Sequence, residues 1–401
     1  MSTGKVHAVR PDRSVPTPPH HEPDTKPAAI CTTSLRILQV TTDRDRRGSQ
    51  VYAMDLESGL RSLGCTVETV ALAPGEHGDG LPIDVFGPTR RSPSTLGALR
   101  KRAKDYDVVI AHGSTTLFAC AVGLWGARCP FVYRQISDPL FWAAGPLRRL
   151  RVAAFLRRAV HVVCLSRGVS EVFGLHYRLG PGSMTVIPNA VPGERFTPGD
   201  ALERAAVRRD HDVPAGSLVV LSIGALVEEK GVDLTIRSLA DRDDVTLIVA
   251  GDGPDRAALE ALAGKVLGDR ARFLGPVDDP GPLYRSADVL LMPTRGGDSM
   301  PAVLIEAGLC GLSAVTCPIG AITDVVIDGE TGYVVAVDDL EGIRMATERI
   351  LDNPELRARM GERANIHCRK WFTIDSTAPV WAALCDRVRA RSIGSQSAVT
   401  S

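Results

Sequence analysis

The sequence predicts an α/β fold built as two Rossmann-like domains. At 401 residues and 44% apolar content it exceeds what one ordinary core accommodates. Short runs rich in β-branched residues alternate with longer helical runs, the pattern of a parallel sheet flanked by helices. That alternation breaks once, at a Pro- and Gly-rich stretch from Pro188 to about Ala215, and then restarts.

Leu35 to Thr41 reads as the first buried strand, followed by a turn at Arg46, Arg47 and Gly48. Ser49 is expected to cap a helix in which Tyr52, Leu56, Leu60 and Leu63 recur at helical spacing until Gly64 stops it. Val67 to Leu72, Asp107 to Ala111, Phe131 to Arg134, Val160 to Leu165 and Met184 to Ile187 complete the first set of strands. Leu218 to Gly224, Val245 to Ala250, Arg272 to Leu274, Val289 to Met292 and Ser313 to Thr316 form the second. The run from Asp375 to Arg391 carries one apolar stripe, Trp381, Leu384 and Val388, and is expected to pack against the body. The resulting division is a disordered leader over 1–34, a first domain over 35–195, a linker over 196–215, a second domain over 216–374, the helix over 375–391 and a frayed tail over 392–401. The paired His20 and His21 have no third ligand at useful spacing and read as part of the leader.

Composition excludes several function classes. Forty-seven basic and 47 acidic residues cancel, and only 5% of residues are aromatic, which argues against a nucleic-acid binder. Nine cysteines without CxxC spacing suit a reducing cytoplasm and give no zinc site. The longest apolar stretch, about Thr115 to Ala127, is shorter than the roughly 20 residues that span a bilayer.

In open parallel sheets ligands bind beyond the carboxyl ends of the strands, so the loops there carry the functional reading. Gly251, Asp252, Gly253, Pro254, Asp255 and Arg256 resemble the opening of a dinucleotide fingerprint, but Arg256 stands where the third Gly belongs; a tight strand-to-helix turn is the simpler reading. Lys230, between Glu229 and Gly231 in the loop that begins at Gly224, is one of only seven lysines. It suits neutralisation of a diphosphate, and standing alone it suits a solvated partner of Glu228 or Glu229 equally well. The segment Pro293 to Glu306 is the sharpest signal. A strand ends, Gly296 and Gly297 give flexibility, and a helix begins near Pro301, so the amides of Ala302 and Val303 form an anion site. Glu306 lies eight residues after Asp298, which sets two carboxylates along one groove with the helix N-terminus between them. A capped helix with incidental acids is the plainer alternative.

Taken together, Lys230 with Gly231, the phrase Val186, Ile187, Pro188, Asn189, the Gly251 to Pro254 turn and the span Asp298 to Glu306 resemble the retaining glycosyltransferases of family 4, which have the GT-B fold. The resemblance runs from about Leu35 to Arg391. It implies two Rossmann-like domains facing across a cleft, with a nucleotide diphosphate sugar (UDP- or GDP-linked) on the C-terminal domain and an acceptor on the N-terminal one. By that resemblance Asp298 holds the donor sugar, Glu306 the ribose hydroxyls and Lys230 the diphosphate. The residues Met300, Pro301, Ala302 and Val303 complete the phosphate cradle, Gly48 and Gly224 let backbone approach the donor, and the backbone near Leu274 faces the base. The catalytic set is thus Asp298, Glu306 and Lys230, with no metal and no cofactor.

Three departures from the family pattern stand out. The Arg that usually follows the Gly matching Gly224 is Ala225, and Arg295 is the expected stand-in. Asp298 replaces a Glu and is one methylene shorter. Where many members carry a His after the strand Phe131 to Arg134, this chain reads Gln135, Ile136, Ser137, Asp138. His112 and Asp138 are the acceptor-side alternatives, with capping of a strand end the plainer role for His112. Lipid, polysaccharide and natural-product acceptors stay open. Arg148, Arg149, Arg151, Arg157 and Arg158 crowd one segment; it suits a peripheral contact at the inner membrane face, or a solvated helix, since the arginines project in several directions. The rival readings are a catalytically silent sugar-nucleotide binder and a GT-B sugar-nucleotide epimerase.

Overall fold

A computed structural model describes residues 35–76, 80–136, 145–297 and 299–397. The sequence expectations for the leader over 1–34, for Asp138 and for Asp298 fall outside those residues. Among the described residues the strands are β1 (Arg36–Thr41), β2 (Thr66–Ala71), β3 (Asp84–Val85), β4 (Val108–His112), β5 (Phe131–Arg134), β6 (His161–Cys164), β7 (Met184–Val186), β8 (Leu218–Ile223), β9 (Val245–Ala250), β10 (Ala271–Gly275), β11 (Val289–Met292), β12 (Ala314–Thr316) and β13 (Gly332–Val334). They form two sheets, of order β3-β2-β1-β4-β5-β6-β7 and β10-β9-β8-β11-β12-β13, in which every pairing is parallel. Each sheet is the doubly wound arrangement predicted from the alternation of strands and helices.

Both faces of each sheet are buried, and consecutive residues divide between them. Leu38 and Val40 enter one core cluster while Leu35 and Ile37 enter the other. In the second domain Val219 and Leu221 face one cluster and Val220 the other. A side-chain period of two with apolar residues on both phases requires helices on both faces.

The first helix, Gly48–Ser62, is capped by Arg47 in extended conformation rather than by Ser49, which sits inside its first turn. Gly64 adopts φ +85° and its amide donates to the carbonyl of Arg61 at 2.9 Å, which terminates the helix as predicted. The stretch read as a Pro- and Gly-rich loop contains a helix, Ala201–Asp210, capped by the Asp200 side chain on the amide of Glu203. No residue of that helix is buried. It docks through charge: Arg204 and Arg208 reach the buried Asp288 at 2.5 and 2.6 Å, and Arg357 approaches the same carboxylate at 3.4 Å.

The final helix, Ile374–Ser397, returns to the first domain, with Trp381, Leu384 and Val388 in the core cluster that holds Ile37, Leu56 and Leu60. It continues past Arg391, where a frayed tail was predicted, because adding a residue to an established helix gains a hydrogen bond without a new nucleation step.

Candidate active site

In the second domain the carboxyl ends of β8, β9 and β10 are bound to one another by backbone. The Gly224 amide donates to Ala250 at 3.0 Å and the Gly251 amide to Gly275 at 2.7 Å. A Cβ on Gly251 would lie 1.9 Å from the Gly224 carbonyl oxygen, so the two loops approach as closely as they do only because Gly251 carries no side chain. The simpler reading of the Gly251 to Pro254 turn, a tight connection from strand to helix, fits this packing; its helix is Arg256–Val266.

Lys230 ends a short 3-10 turn, Glu228–Lys230, and is partly buried. Gly231 follows in the left-handed region (φ +67°), where a Cβ would meet the Pro293 carbonyl oxygen at 2.1 Å. The Glu229 carbonyl accepts from the Arg295 amide at 2.7 Å and from Thr294 Oγ1 at 2.9 Å. The Lys230 turn and the loop after β11 are therefore laced together. Arg295 holds this junction: its guanidinium contacts Asp233 at 2.7 Å and Asp338 at 2.6 Å, and it donates to the Glu228 carbonyl at 2.8 Å. Arg295, expected to stand in for the missing Arg at position 225, has its guanidinium engaged by those partners in tying the loops together.

The helix expected near Pro301 runs Ala302–Leu309, with Pro301 as its extended N-cap and no side-chain cap. The first amides of such a helix lack intrahelical partners and, with the helix dipole, favour an anion. Met300 is buried in the core, while Pro301, Ala302 and Val303 are partly exposed at the helix mouth. Glu306 is partly buried one turn further on, and its Oε2 accepts from the Tyr284 hydroxyl at 2.7 Å. Burial raises the Glu306 carboxyl above the usual carboxylate range, opposed by the Tyr284 bond and by Arg195. Leu274, on β10, is partly buried against the cluster that contains Met300, Leu304 and Ile305.

The facing rim belongs to the first domain and joins the loop after β11 through a chain of polar contacts that sequence reading missed. Asn189 donates through its side chain to the Met300 carbonyl at 2.5 Å, and its amide points at the Met300 sulfur at 3.2 Å. Its Oδ1 accepts from Arg134, the last residue of β5, which is 1% exposed. The Arg134 guanidinium stacks on the Tyr52 ring at 3.6 Å, and the Tyr52 hydroxyl accepts from Trp381 at 2.9 Å. His112, also 1% exposed, is enclosed between Arg134 (3.5 Å) and the Gln39 side chain (3.0 Å). Burial, and secondarily Arg134, hold its pKa well below the ordinary imidazole value. His112 is a neutral group beneath the rim and is not presented to an acceptor. Gly48 is exposed at the start of its helix, and Arg46, two residues before it, reaches Asp278 of the second domain at 3.8 Å. The only signal for this chain was Asn189 in the Val186 to Asn189 phrase; a strand-end arginine buried without a carboxylate leaves no pattern in sequence.

Two lobes meeting along the carboxyl ends of parallel sheets, with an anion-ready helix mouth on one rim, make up the GT-B architecture. Residues 46–195 match the description Glycosyltransferase Family 4, and residues 203–367 match Glycosyl transferases group 1. D-inositol 3-phosphate glycosyltransferase 2 of Catenulispora acidiphila is 30% identical over 403 residues, covering 86% of this chain and 92% of that protein. Phosphatidyl-myo-inositol mannosyltransferase of Mycolicibacterium smegmatis is 28% identical over 356 residues, covering 82% of this chain and 88% of that one. The crystal structure of HepE from Anabaena in complex with UDP shares the fold, with a TM-score of 0.79 at 19% identity over 88% of this chain and 100% of that chain. The chain belongs to glycosyltransferase family 4.

Proposed function

We propose that this glycosyltransferase moves a sugar from a UDP- or GDP-linked donor to a hydroxyl acceptor, with retention at the anomeric carbon and without a metal. The observation that supports the reading is the lacing of the Lys230 turn to the loop that leads into the Ala302–Leu309 helix, with Glu306 anchored by Tyr284 one turn inside. Lys230 and the helix amides take the negative charge that builds on the departing diphosphate, which is the task a metal performs elsewhere. Glu306 receives the ribose hydroxyls, and Asp298 holds the donor sugar. The leaving phosphate accepts the proton of the attacking hydroxyl on the same face of the sugar, so the N-terminal rim contributes no base.

A lipid, a polysaccharide or a natural product serves as acceptor. No described helix is long and apolar enough to cross a membrane.

Incubation with a panel of UDP- and GDP-sugars in the presence of chelator, followed by detection of released nucleotide diphosphate and assignment of the product anomer by NMR, tests the reading. Release from one donor, with the anomeric configuration of that donor kept in the product, is the expected result. No release from any donor leaves a silent binder, and conversion of the donor sugar without an acceptor makes it an epimerase.

A further inference from the structure

A run of hydrogen bonds leads from the core of the first domain to the seam with the second, and donor and acceptor are fixed at each step. Gln39, on β1, donates through Nε2 to the Ala53 carbonyl at 2.8 Å and to Thr69 Oγ1 at 3.1 Å. A carbonyl only accepts, so the Gln39 amide cannot turn over, and its Oε1 is the atom that faces His112 Nε2 at 3.0 Å. Burial keeps the His112 ring neutral. Nε2 therefore carries the single ring proton and Nδ1 is a lone pair. Arg134 Nη1, 3.5 Å from Nδ1, supplies the donor that this lone pair needs, and its Nη2 donates to Asn189 Oδ1. A guanidinium has no acceptor, so the Asn189 amide turns its oxygen to Arg134 and its Nδ2 to the Met300 carbonyl, 2.5 Å away.

This arrangement is costly for the core alone. Gln39, His112 and Arg134 are each 1% exposed or less, and among the described residues Arg134 Nε finds no acceptor. An apolar side chain of similar length would avoid both the buried charge and the unmet donor. What the arginine achieves lies at the far end of the run. Met300 precedes Pro301, the N-cap of the Ala302–Leu309 helix, and no side chain caps that helix. Its first amides stay open for an anion, but the same end lacks the capping bond that would hold it still. Asn189, in the segment after β7, takes over that anchoring, with its side chain on the Met300 carbonyl and its amide against the Met300 sulfur at 3.2 Å. A side-chain amide bonded at both ends is fixed in its plane; bonded at one end, it pivots.

We propose that Arg134 and Asn189 are positioning residues for donor binding, an inference that rests on reading the Pro301 helix mouth as the donor site. Arg134 acts through Asn189, and Asn189 through the Met300 carbonyl, to hold that mouth in the orientation that receives the diphosphate. The bond also occupies the carbonyl next to the mouth, whose partial negative charge would oppose an anion if it swung inward. The Tyr52 ring beneath the Arg134 guanidinium, itself bonded to Trp381 of the final helix, keeps the arginine in place. Donor binding on the second domain thus depends on a side chain buried in the first.

The test is a double-mutant cycle on the affinity of the full chain for UDP and GDP, using Arg134→Met, Asn189→Leu and the two combined, with the melting temperature of each protein. Each single change is expected to weaken the nucleotide that binds wild type by about tenfold, and the double variant by no more than either one. Arg134→Met should melt within about 3 °C of wild type, because it also removes a buried charge. Arg134→Lys, which returns a donor to Asn189, should recover part of the lost affinity. Wild-type affinity in Arg134→Met, or losses that multiply in the double variant, overturns the proposal. Should Arg134→Met fail to fold, Asn189→Leu decides: weaker nucleotide binding at an unchanged melting temperature supports the proposal, and wild-type affinity overturns it. Nitrogen NMR of the histidine rings reads the run directly, with His112 assigned by the signal lost in His112→Gln. A neutral ring protonated at Nε2 is expected, with an Nδ1 resonance that moves in Arg134→Met; a proton on Nδ1 overturns the proposal. Wild type that binds neither nucleotide would instead sink the donor reading, an outcome distinct from intact wild-type binding with indifferent variants.

Discussion

Individual residues at the domain junction carry charge in unusual surroundings. Asp55, on the Gly48–Ser62 helix, is pushed from the ordinary carboxylate value to about 6 by burial, with Arg195 opposing the shift and Glu194 adding to it. A folded-state pKa above the unfolded one means that the native protein holds the extra proton between about 3.8 and about 6. Stability therefore falls as pH rises through that window and levels off above it. The melting temperature of wild type should drop between about pH 4 and pH 6.5 by more than that of Asp55→Asn, which lacks the titration; parallel curves for the two proteins would refute the assignment. Arg134 is the mirror case, a buried cation compensated by the face of Tyr52 and by Asn189 rather than by a carboxylate. Neither residue was legible beforehand. Burial of a polar side chain depends on what the fold sets around it, and periodicity reports only where apolar residues recur.

Among the elements, the helix Ala201–Asp210 is the clearest failure of apolar patterning. Its docking rests on Asp288, whose carboxylate accepts from Arg204, Arg208 and the Val219 amide, so one buried acid joins that helix to β8. Asp288→Ala leaves those cations and that amide without their partner, and a loss of about 3–5 kcal/mol is expected. Urea unfolding of the variant measures it; a change below about 1 kcal/mol would contradict this account.

Strands with apolar residues on both faces, β1, β4, β8, β9 and β11, were legible to within a residue or two, because a doubly buried strand writes a nearly continuous apolar run. The two-residue β3 and the three-residue β13 were not. In β13 the signal is weakened by Gly332, which the packing needs, since a Cβ there would lie 2.2 Å from the Ala314 carbonyl oxygen. The site divides the same way. The Lys230 turn and the Pro301 mouth could be read because each pairs a strand end with a chemically distinctive residue, whereas Tyr284 behind Glu306 and the Asp233 and Asp338 partners of Arg295 come from segments far apart in the chain.

At the scale of the molecule, two sheets present their carboxyl edges to each other, and the chain crosses between them twice. One crossing runs through Asn189 and Val191, whose amide donates to Phe372 at 3.0 Å, and the other through the final helix, with Trp381 buried against Tyr52. These crossings set the loop after β11 against the end of β5 and so fix which groups share the space between the lobes. The central claim is that Lys230, the helix mouth after Pro301 and Glu306 form one nucleotide diphosphate site. Its most direct test is the affinity of UDP and GDP for the wild type, Lys230→Ala and Glu306→Ala proteins, each checked for unchanged folding by circular dichroism. One of the two nucleotides is expected to bind wild type, with at least about tenfold weaker binding in each variant, the loss of one charge-assisted contact. Equal affinity in all three proteins would contradict the claim.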